Sequence, residues 1–509
     1  MSGASVSDDR TQVIPDFQQV LGHPRPLWML FMSEFWERFA FYGIRWAMTL
    51  YIVAQFHGGD ASGEKPASEL YGAYLALVYA GAIFGGYVAD KLIGYQRSIL
   101  LGAVIMAIGL FMLAVPTETV FKLGLATIIV GNGLFKPIIS TMVGKLYMQG
   151  DARRDAGFTI FYMGINLGAF LAPLITQYLA KKVFGAEMPA YKVVFIAAGI
   201  GMLVSLVWFW FGRSQLKGIG LPPPEATSLK RVVLVAIGAA AAIPVFYALL
   251  TIDATVLQYI LMALLVGPAI MLLVEGIREG SVPRDKVIAM LIILAFNVFF
   301  WCFFEQAGSS FNFLAEKIVN RDIGLHGLFN TFAGEPAFPV SWFQSVNSVA
   351  IITLAPIIAW IWVKMGRANP SIPRKFSLGL IFNGLAFLLL MFALTKLIGD
   401  DGKIPFWTLF AVYWIQSVGE LCLSPIGLSM VTKLAPPRLA GFAMGAWFLS
   451  IAIGNNLAGI FAGHASGEGG MTTGSALAAY TMGFYILAGA GVLLFVVGGL
   501  VNKLMHGVK

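Results

Sequence analysis

Six side chains near the start of the chain, Glu34, Glu37, Arg38, Phe41, Tyr42 and Arg45, follow one another by steps of three, one, three, one and three residues. At 3.6 residues per turn these steps place all six on one face of a helix. Two carboxylates beside two guanidiniums can hold one another as ion pairs, take up and release protons, or exchange a partner for a charged ligand. The segment that carries them, 27–56, is otherwise apolar and long enough to cross a bilayer. Each ionised group would cost about 2.5–3.5 kcal/mol at mid-membrane on insertion scales. The stripe therefore faces a wet cavity or charged partners on other helices, not lipid.

Three further ionisable residues interrupt apolar runs: Lys136 in Gly131-Asn132-Gly133-Leu134-Phe135-Lys136-Pro137, Glu305 in Trp301-Cys302-Phe303-Phe304-Glu305-Gln306, and Glu420 in Ser417-Val418-Gly419-Glu420-Leu421-Cys422-Leu423-Ser424-Pro425. Together the seven groups would cost on the order of 20 kcal/mol before pairing. Buried bridges that only hold helices together are the competing reading. Replacing such pairs by apolar side chains is often neutral or stabilising, however, so stability alone explains a cluster this dense poorly. Four carboxylates against three cations also leave one acid whose proton can come and go.

The elements that position these groups must be membrane helices. Of 509 residues 58% are hydrophobic and only 12% charged, with a mean hydropathy of +0.80, about half the charge of a soluble protein. Fourteen spans are expected: 27–56, 69–90, 98–116, 120–145, 156–180, 191–212, 231–250, 255–277, 286–306, 342–363, 375–396, 405–432, 439–463 and 477–502. An even number puts both termini on one side, and the excess of Lys and Arg there marks that side as cytoplasmic. Lys181, Lys182 and Lys192 fall on the other side, against the rule. The net charge of +8 sits in loops between spans, so it reads as membrane orientation and not as a nucleic-acid surface. Cys302 and Cys422 both lie in apolar runs, with no disulfide framework or metal motif. Residues 1–25, with Asp8 and Asp9, lack the pattern of a cleaved signal peptide.

Two connections stand out. A basic linker, Arg213, Lys217, Pro222-Pro223-Pro224 and Lys230, follows the sixth span, and residues 307–341 form the longest non-spanning stretch, helical near 313–319. Setting aside the linker and the next two spans leaves six and six, the all-α architecture of the major facilitator superfamily, with substrate held between the halves. The expected division is an N-terminal segment 1–26, a six-helix bundle 27–212, the linker and two peripheral helices 213–285, a second bundle 286–502 and a tail 503–509.

The stretch Glu34-x-x-Glu37-Arg38-Phe39-x-Phe41-Tyr42-Gly43 resembles the ExxERFxYYG signature of the proton-dependent oligopeptide transporter family. Gly85-Gly86-Tyr87-Val88-Ala89-Asp90-Lys91-Leu92-Ile93-Gly94 is similar to the family's first cytoplasmic turn, and Phe161-Tyr162-Met163-Gly164-Ile165-Asn166-Leu167-Gly168 to its FYxxINxG signature. Phe304-Glu305-Gln306, Gln344-Ser345-Val346-Asn347, and Glu420 through Pro425 with Ser429-Met430-Val431-Thr432-Lys433 resemble its C-half segments. The resemblance covers roughly residues 25–505 and implies a bacterial proton-coupled symporter of di- and tripeptides in the cytoplasmic membrane. It implies no enzyme activity and no cofactor beyond the proton gradient, with function as a monomer.

By that resemblance Arg38 and Lys136 lie near the peptide carboxylate, and Glu420 and Asn347 near its amine. Tyr42, Tyr79, Asn166, Trp301, Ser424 and Trp447 match pocket-lining positions, and Glu34 and Glu37 take up the proton. Arg45 pairs with Glu305; protonating Glu305 is expected to release Arg45 or Lys136. A zwitterionic peptide needs a cationic and an anionic wall, and aromatics between them tolerate many side chains. Asp90, beside Lys91 at a span end, is expected to tie helix ends together.

Two positions depart from the family pattern. Phe41 stands where many members have tyrosine, and Gly72 where animal members have a histidine. All five histidines fall in termini, loops or span ends, so carboxylates must carry the proton. No HExxH, GxSxG or His/Asp cluster points to a membrane enzyme, and no repeated filter segment to a channel. The rival substrate on the same fold is nitrate or another small anion, against which Glu420 argues, since an anion carrier gains nothing from a carboxylate facing its cargo.

Overall fold

A computed structural model describes residues 14–148, 151–185, 189–222, 224 and 227–508. The expectations for residues 1–13, with Asp8 and Asp9, and for Pro223 lie outside the described residues. The long helices are α1 (Arg25–Phe56), α2 (Glu64–Gly81), α3 (Tyr95–Leu113), α4 (Glu118–Gly144), α5 (Arg154–Gln177), α6 (Tyr191–Gly212), α7 (Leu229–Thr251), α8 (Ala254–Glu279), α9 (Ser281–Phe304), α10 (Trp342–Met365), α11 (Ile372–Lys396), α12 (Phe406–Leu434), α13 (Ala440–Ser466) and α14 (Thr473–Leu504). Among the described residues thirteen helices are long and apolar enough to cross a membrane. α1 falls outside that set because of its charged stripe, yet it is 32 residues long and packs along α2, α5 and α6. In lipid every backbone polar group must be satisfied within its own segment, which is why these apolar runs are helices.

Helices α1–α6 pack mainly on one another, as do α9–α14. The two groups meet along α2 with α13 and along α5 with α10. Helix α7 leans on α4, and α8 on α9 and α13; both expose most of their surface, as expected of peripheral spans. Ser228 caps α7, Asp253 caps α8 through the Thr255 and Val256 N–H groups, and Thr472 and Ser475 form a capping box on α14. Those Thr255 and Val256 bonds hold the Asp253 carboxyl below its ordinary range.

Two local departures from the expected spans have clear causes. The second span begins at Glu64 and loses regular geometry at its end, passing through a 3-10 turn at Ala82–Phe84 and a wide π turn at Val88–Ile93. There Gly85 comes so close to the Gly133 carbonyl that a side-chain carbon at Gly85 would collide with it. Pro137 cannot donate to that carbonyl, which leaves it open for the approach. In the long connection after α9, a helix over Ser310–Lys317 matches the expectation, and a second, His326–Phe332, was not foreseen.

Candidate functional site

Helix α1 is fixed before its charges are considered. Ser205 on α6 donates to the Ser33 carbonyl at 2.7 Å, and the Trp46 indole donates to Thr176 on α5 at 2.9 Å. This turns Glu34, Glu37 and Arg38 inward, where they are 1%, 0% and 3% exposed. The Arg38 guanidinium donates to both carboxylate oxygens of Glu37, at 2.6 Å from Nη2, and its Nε lies 3.4 Å from Glu34. The Asn132 amide reaches Glu37 Oε1 at 3.4 Å, whereas Glu34 Oε2 is buried without a partner. The Arg38 guanidinium carbon also sits 4.8 Å from the centre of the Phe41 ring, a cation–π contact that phenylalanine makes as well as tyrosine.

Lys136, on the proline-interrupted α4, is held differently. Its ammonium lies 4.8 Å from the Tyr79 ring centre and 6.0 Å from that of Phe41. No carboxylate lies within ion-pair distance of it among the described residues, although Glu34, Glu37 and Glu305 are within electrostatic reach. Arg38 is thus engaged by two acids, and Lys136 rests on aromatic faces.

The opposite wall belongs to the C-terminal helices. Asn347 on α10 donates to Ser417 at 2.9 Å and to Glu420 at 3.1 Å, both on α12, and no cation pairs with Glu420 among the described residues. Pro425 interrupts α12 one turn beyond Glu420, as Pro137 interrupts α4 beside Lys136. The Ser424 hydroxyl is buried without a partner. The Trp301 indole donates to Asn297 at 3.1 Å and its ring packs edge-on against Phe300 and Phe304. Tyr42 lies within electrostatic reach of Arg38 and Arg45 on its own helix and of Glu305 and Glu420 from the C-terminal helices. Asn166 bonds back to the Tyr162 carbonyl at 3.0 Å on its own helix. Trp447 is the outlier: its ring is buried in the C-terminal half against Phe376 and Gly427.

One end of the molecule, opposite the termini, is drawn shut. Arg45 Nη2 lies 2.5 Å from Glu305, the residue that caps α9, while its Nε donates to Tyr71 at 2.8 Å. Of the two cations expected to answer Glu305, only Arg45 takes the ion pair. Thr49 donates to the Gly308 carbonyl, Asn312 to the Trp46 carbonyl and Ser345 to the Phe170 carbonyl, at 3.0, 3.0 and 2.8 Å. Gln177 reaches Glu335 at 2.9 Å and Lys65 reaches Glu468 at 2.6 Å, while buried Glu64 takes the Lys317 ammonium and the Met471 N–H. Gly72 sits at the crossing of α2 and α13, where a Cβ would lie 2.5 Å from the Gly459 Cα. Ser68 and Gly72 on one helix, Asn455 and Gly459 on the other, make a small-residue crossing that a histidine at 72 would prise open.

Tyr71, Asn132 and Ser417 take part in the site and were not singled out from the sequence. Only Asn132 left a trace, as a polar residue in an apolar run one helical turn from Lys136. Asp90 accepts from Tyr95 across the turn joining α2 and α3.

Two six-helix groups that meet around buried charges of opposite sign constitute a secondary transporter of the major facilitator fold. The POT family model matches residues 96–468, and the chain belongs to that family. It is 35% identical over 483 residues to the "Peptide transporter YePEPT" of Yersinia enterocolitica, covering 89% of this chain and 90% of that protein. It is 34% identical over 444 residues to "Dipeptide and tripeptide permease A" of Escherichia coli, covering 86% and 84%. A crystal structure of a peptide transporter POT in complex with sulfate superposes with a TM-score of 0.82 at 32% identity, covering 99% of this chain and all of that one.

Proposed function

We propose that the protein is a proton-coupled symporter that imports di- and tripeptides by alternating access across the bacterial cytoplasmic membrane. The observation that carries this reading is the pair of opposed walls: Arg38 and Lys136 from one group of helices, Glu420 with Asn347 from the other, and Tyr42 between them. A zwitterionic peptide has a charge for each wall, and its closed, partly desolvated site strengthens both contacts. A small anion has no use for Glu420. The names of the relatives agree with the peptide reading.

In this account the peptide carboxylate meets the Lys136 ammonium first, since Arg38 is already held. Protonation of Glu34 or Glu37 weakens their hold and frees Arg38 as the second donor. Glu420 takes the peptide amine, with Asn347 and Ser417 fixing its rotamer. Tyr42, Tyr79, Trp301 and Asn166 form the walls for peptide side chains, the Ser424 hydroxyl offers an unused hydrogen bond, and Trp447 acts from behind by supporting α12 at Gly427. Protonating Glu305 releases Arg45 and loosens the shut end. A neutral acid no longer favours the closed state, which supplies the differential affinity a gate requires.

The proton gradient is the energy source, with no bound cofactor. The bundles 27–212 and 286–502 move as the two rocking halves, and the protein works as a monomer. The Lys and Arg excess on the side of the termini supports a cytoplasmic location for both, so the shut end faces outward. Counterflow of labelled dialanine in proteoliposomes tests the substrate: competition by trialanine but not by alanine or nitrate is expected. Competition by nitrate alone would replace the substrate while keeping the fold.

A further inference from the structure

Helix α7 touches α4 through Ala239 against Val130 and Leu134, and beside that contact lies a groove of about 540 Å³. Its floor is the irregular end of α2 and the middle of α4, with Gly85, Val88, Val130 and Leu134 among its lining, and its outer wall is α7 from Arg231 to Phe246. The lining is apolar except at one end, where Arg231 reaches the Lys91 carbonyl at 3.5 Å and Lys230 precedes it on the exposed first turn. The neighbouring acid, Asp90, is turned to the Tyr95 hydroxyl. The far end of the groove is stopped by Phe246, whose ring meets α2 at Gly81. Eleven residues separate Arg231 from Ala242, about 16 Å of helix, close to the depth of one bilayer leaflet of about 15 Å.

We infer that this groove holds one anionic glycerophospholipid from the leaflet on the side of the termini, its phosphate on Arg231 and Lys230 and an acyl chain along Gly238 and Ala242. An apolar cleft open to a bilayer is filled by hydrocarbon, and a basic residue at the interfacial end selects the anionic headgroup. The chain would lie against the part of α2 that leaves regular helix geometry and against Gly133 on α4, one turn before Lys136. A lipid there braces α7 to α4, the helix that carries Lys136, which gives the first of the two extra spans a physical task.

Gly238 makes the groove testable, because a Cβ there meets nothing within 4 Å and a large side chain can grow into the space without a backbone clash. Native mass spectrometry of the purified full-length protein, with phosphatidylglycerol or phosphatidylcholine titrated in equal steps, reads the adducts directly. Wild type is expected to retain one phosphatidylglycerol in preference to phosphatidylcholine. Gly238→Trp is expected to lower that adduct at least tenfold, while Ile237→Trp, on an exposed position of the same helix, leaves it unchanged. Arg231→Gln is expected to cut the preference for phosphatidylglycerol by about fivefold, the worth of one basic residue near an anionic surface. Equal retention of both lipids by wild type would overturn the inference. So would adducts that survive both Gly238→Trp and Arg231→Gln, and since the second variant leaves the groove's shape intact, it decides the matter even where the first does not fold.

Discussion

Glu305→Gln isolates the buried ion pair that ties the two helix groups together at the shut end, opposite the termini. In the wild type Arg45 and Glu305 meet at 2.5 Å with both side chains 12% exposed, and Tyr71 holds the guanidinium from the other side. Removing one member of a buried pair costs about 3–5 kcal/mol, because the remaining charge is left uncompensated. Tyr71 stays in place and the glutamine keeps one acceptor, so the lower figure applies, about 3 kcal/mol. That penalty falls on the closed state alone, since Arg45 is rehydrated once the end opens. At 1.4 kcal/mol per tenfold the open population rises by about two orders of magnitude. Spin labels at Ser62 and Asp400, exposed positions on opposite helix groups at this end, report it as a pulsed-dipolar distance distribution. A single short distance in wild type and an added long component in Glu305→Gln are expected. An unchanged distribution in a folded variant would refute the assignment of this pair as the latch, whatever happens to transport.

Other substitutions probe the rest of the site. Glu420→Ala should raise the apparent Kd for dialanine by roughly 10–100-fold, from the loss of one charge-assisted contact of about 1.5–3 kcal/mol, and abolish discrimination against N-acetylated dialanine in competition binding. Lys136→Ala should weaken dialanine but leave the dipeptide amide, which has no carboxylate, within about threefold of wild type in the same competition assay. Gly72→Ala should wedge α2 from α13 and lengthen the Ser62–Asp400 distance as Glu305→Gln does. Lys65→Ala removes an ion pair whose acid is largely exposed, and uptake should change less than twofold.

The fold was legible because bilayer thickness imposes a run length that composition cannot hide, and most expected spans fall within a few residues of the observed helices. The charged stripe on α1 was legible for the opposite reason: only a function keeps such groups in an apolar segment. The α2 break was not, since it arises from the contact of Gly85 with Gly133, 48 positions away in the chain. The shut end was equally opaque. Glu64 and Gln177 are ordinary polar residues near span ends and Lys317 and Glu335 lie in the connection 307–341, and only the folded arrangement shows whom they meet. Gly72 could be noticed as a missing histidine, but its task, letting α2 and α13 touch, needs both helices in view. Trp447 matches a pocket position by motif, and its packing against Phe376 and Gly427 could not be read from sequence order, which does not tell one face of a helix from the other.

The most direct test of peptide symport is uptake of labelled dialanine into proteoliposomes under an imposed inward proton gradient, with and without an uncoupler, for wild type and Glu37→Gln. Accumulation above the outside concentration, collapsing with the uncoupler and missing in Glu37→Gln while dialanine exchange persists, is expected. Uphill accumulation that survives the uncoupler, or that Glu37→Gln still performs, would contradict proton coupling through the carboxylates beside Arg38.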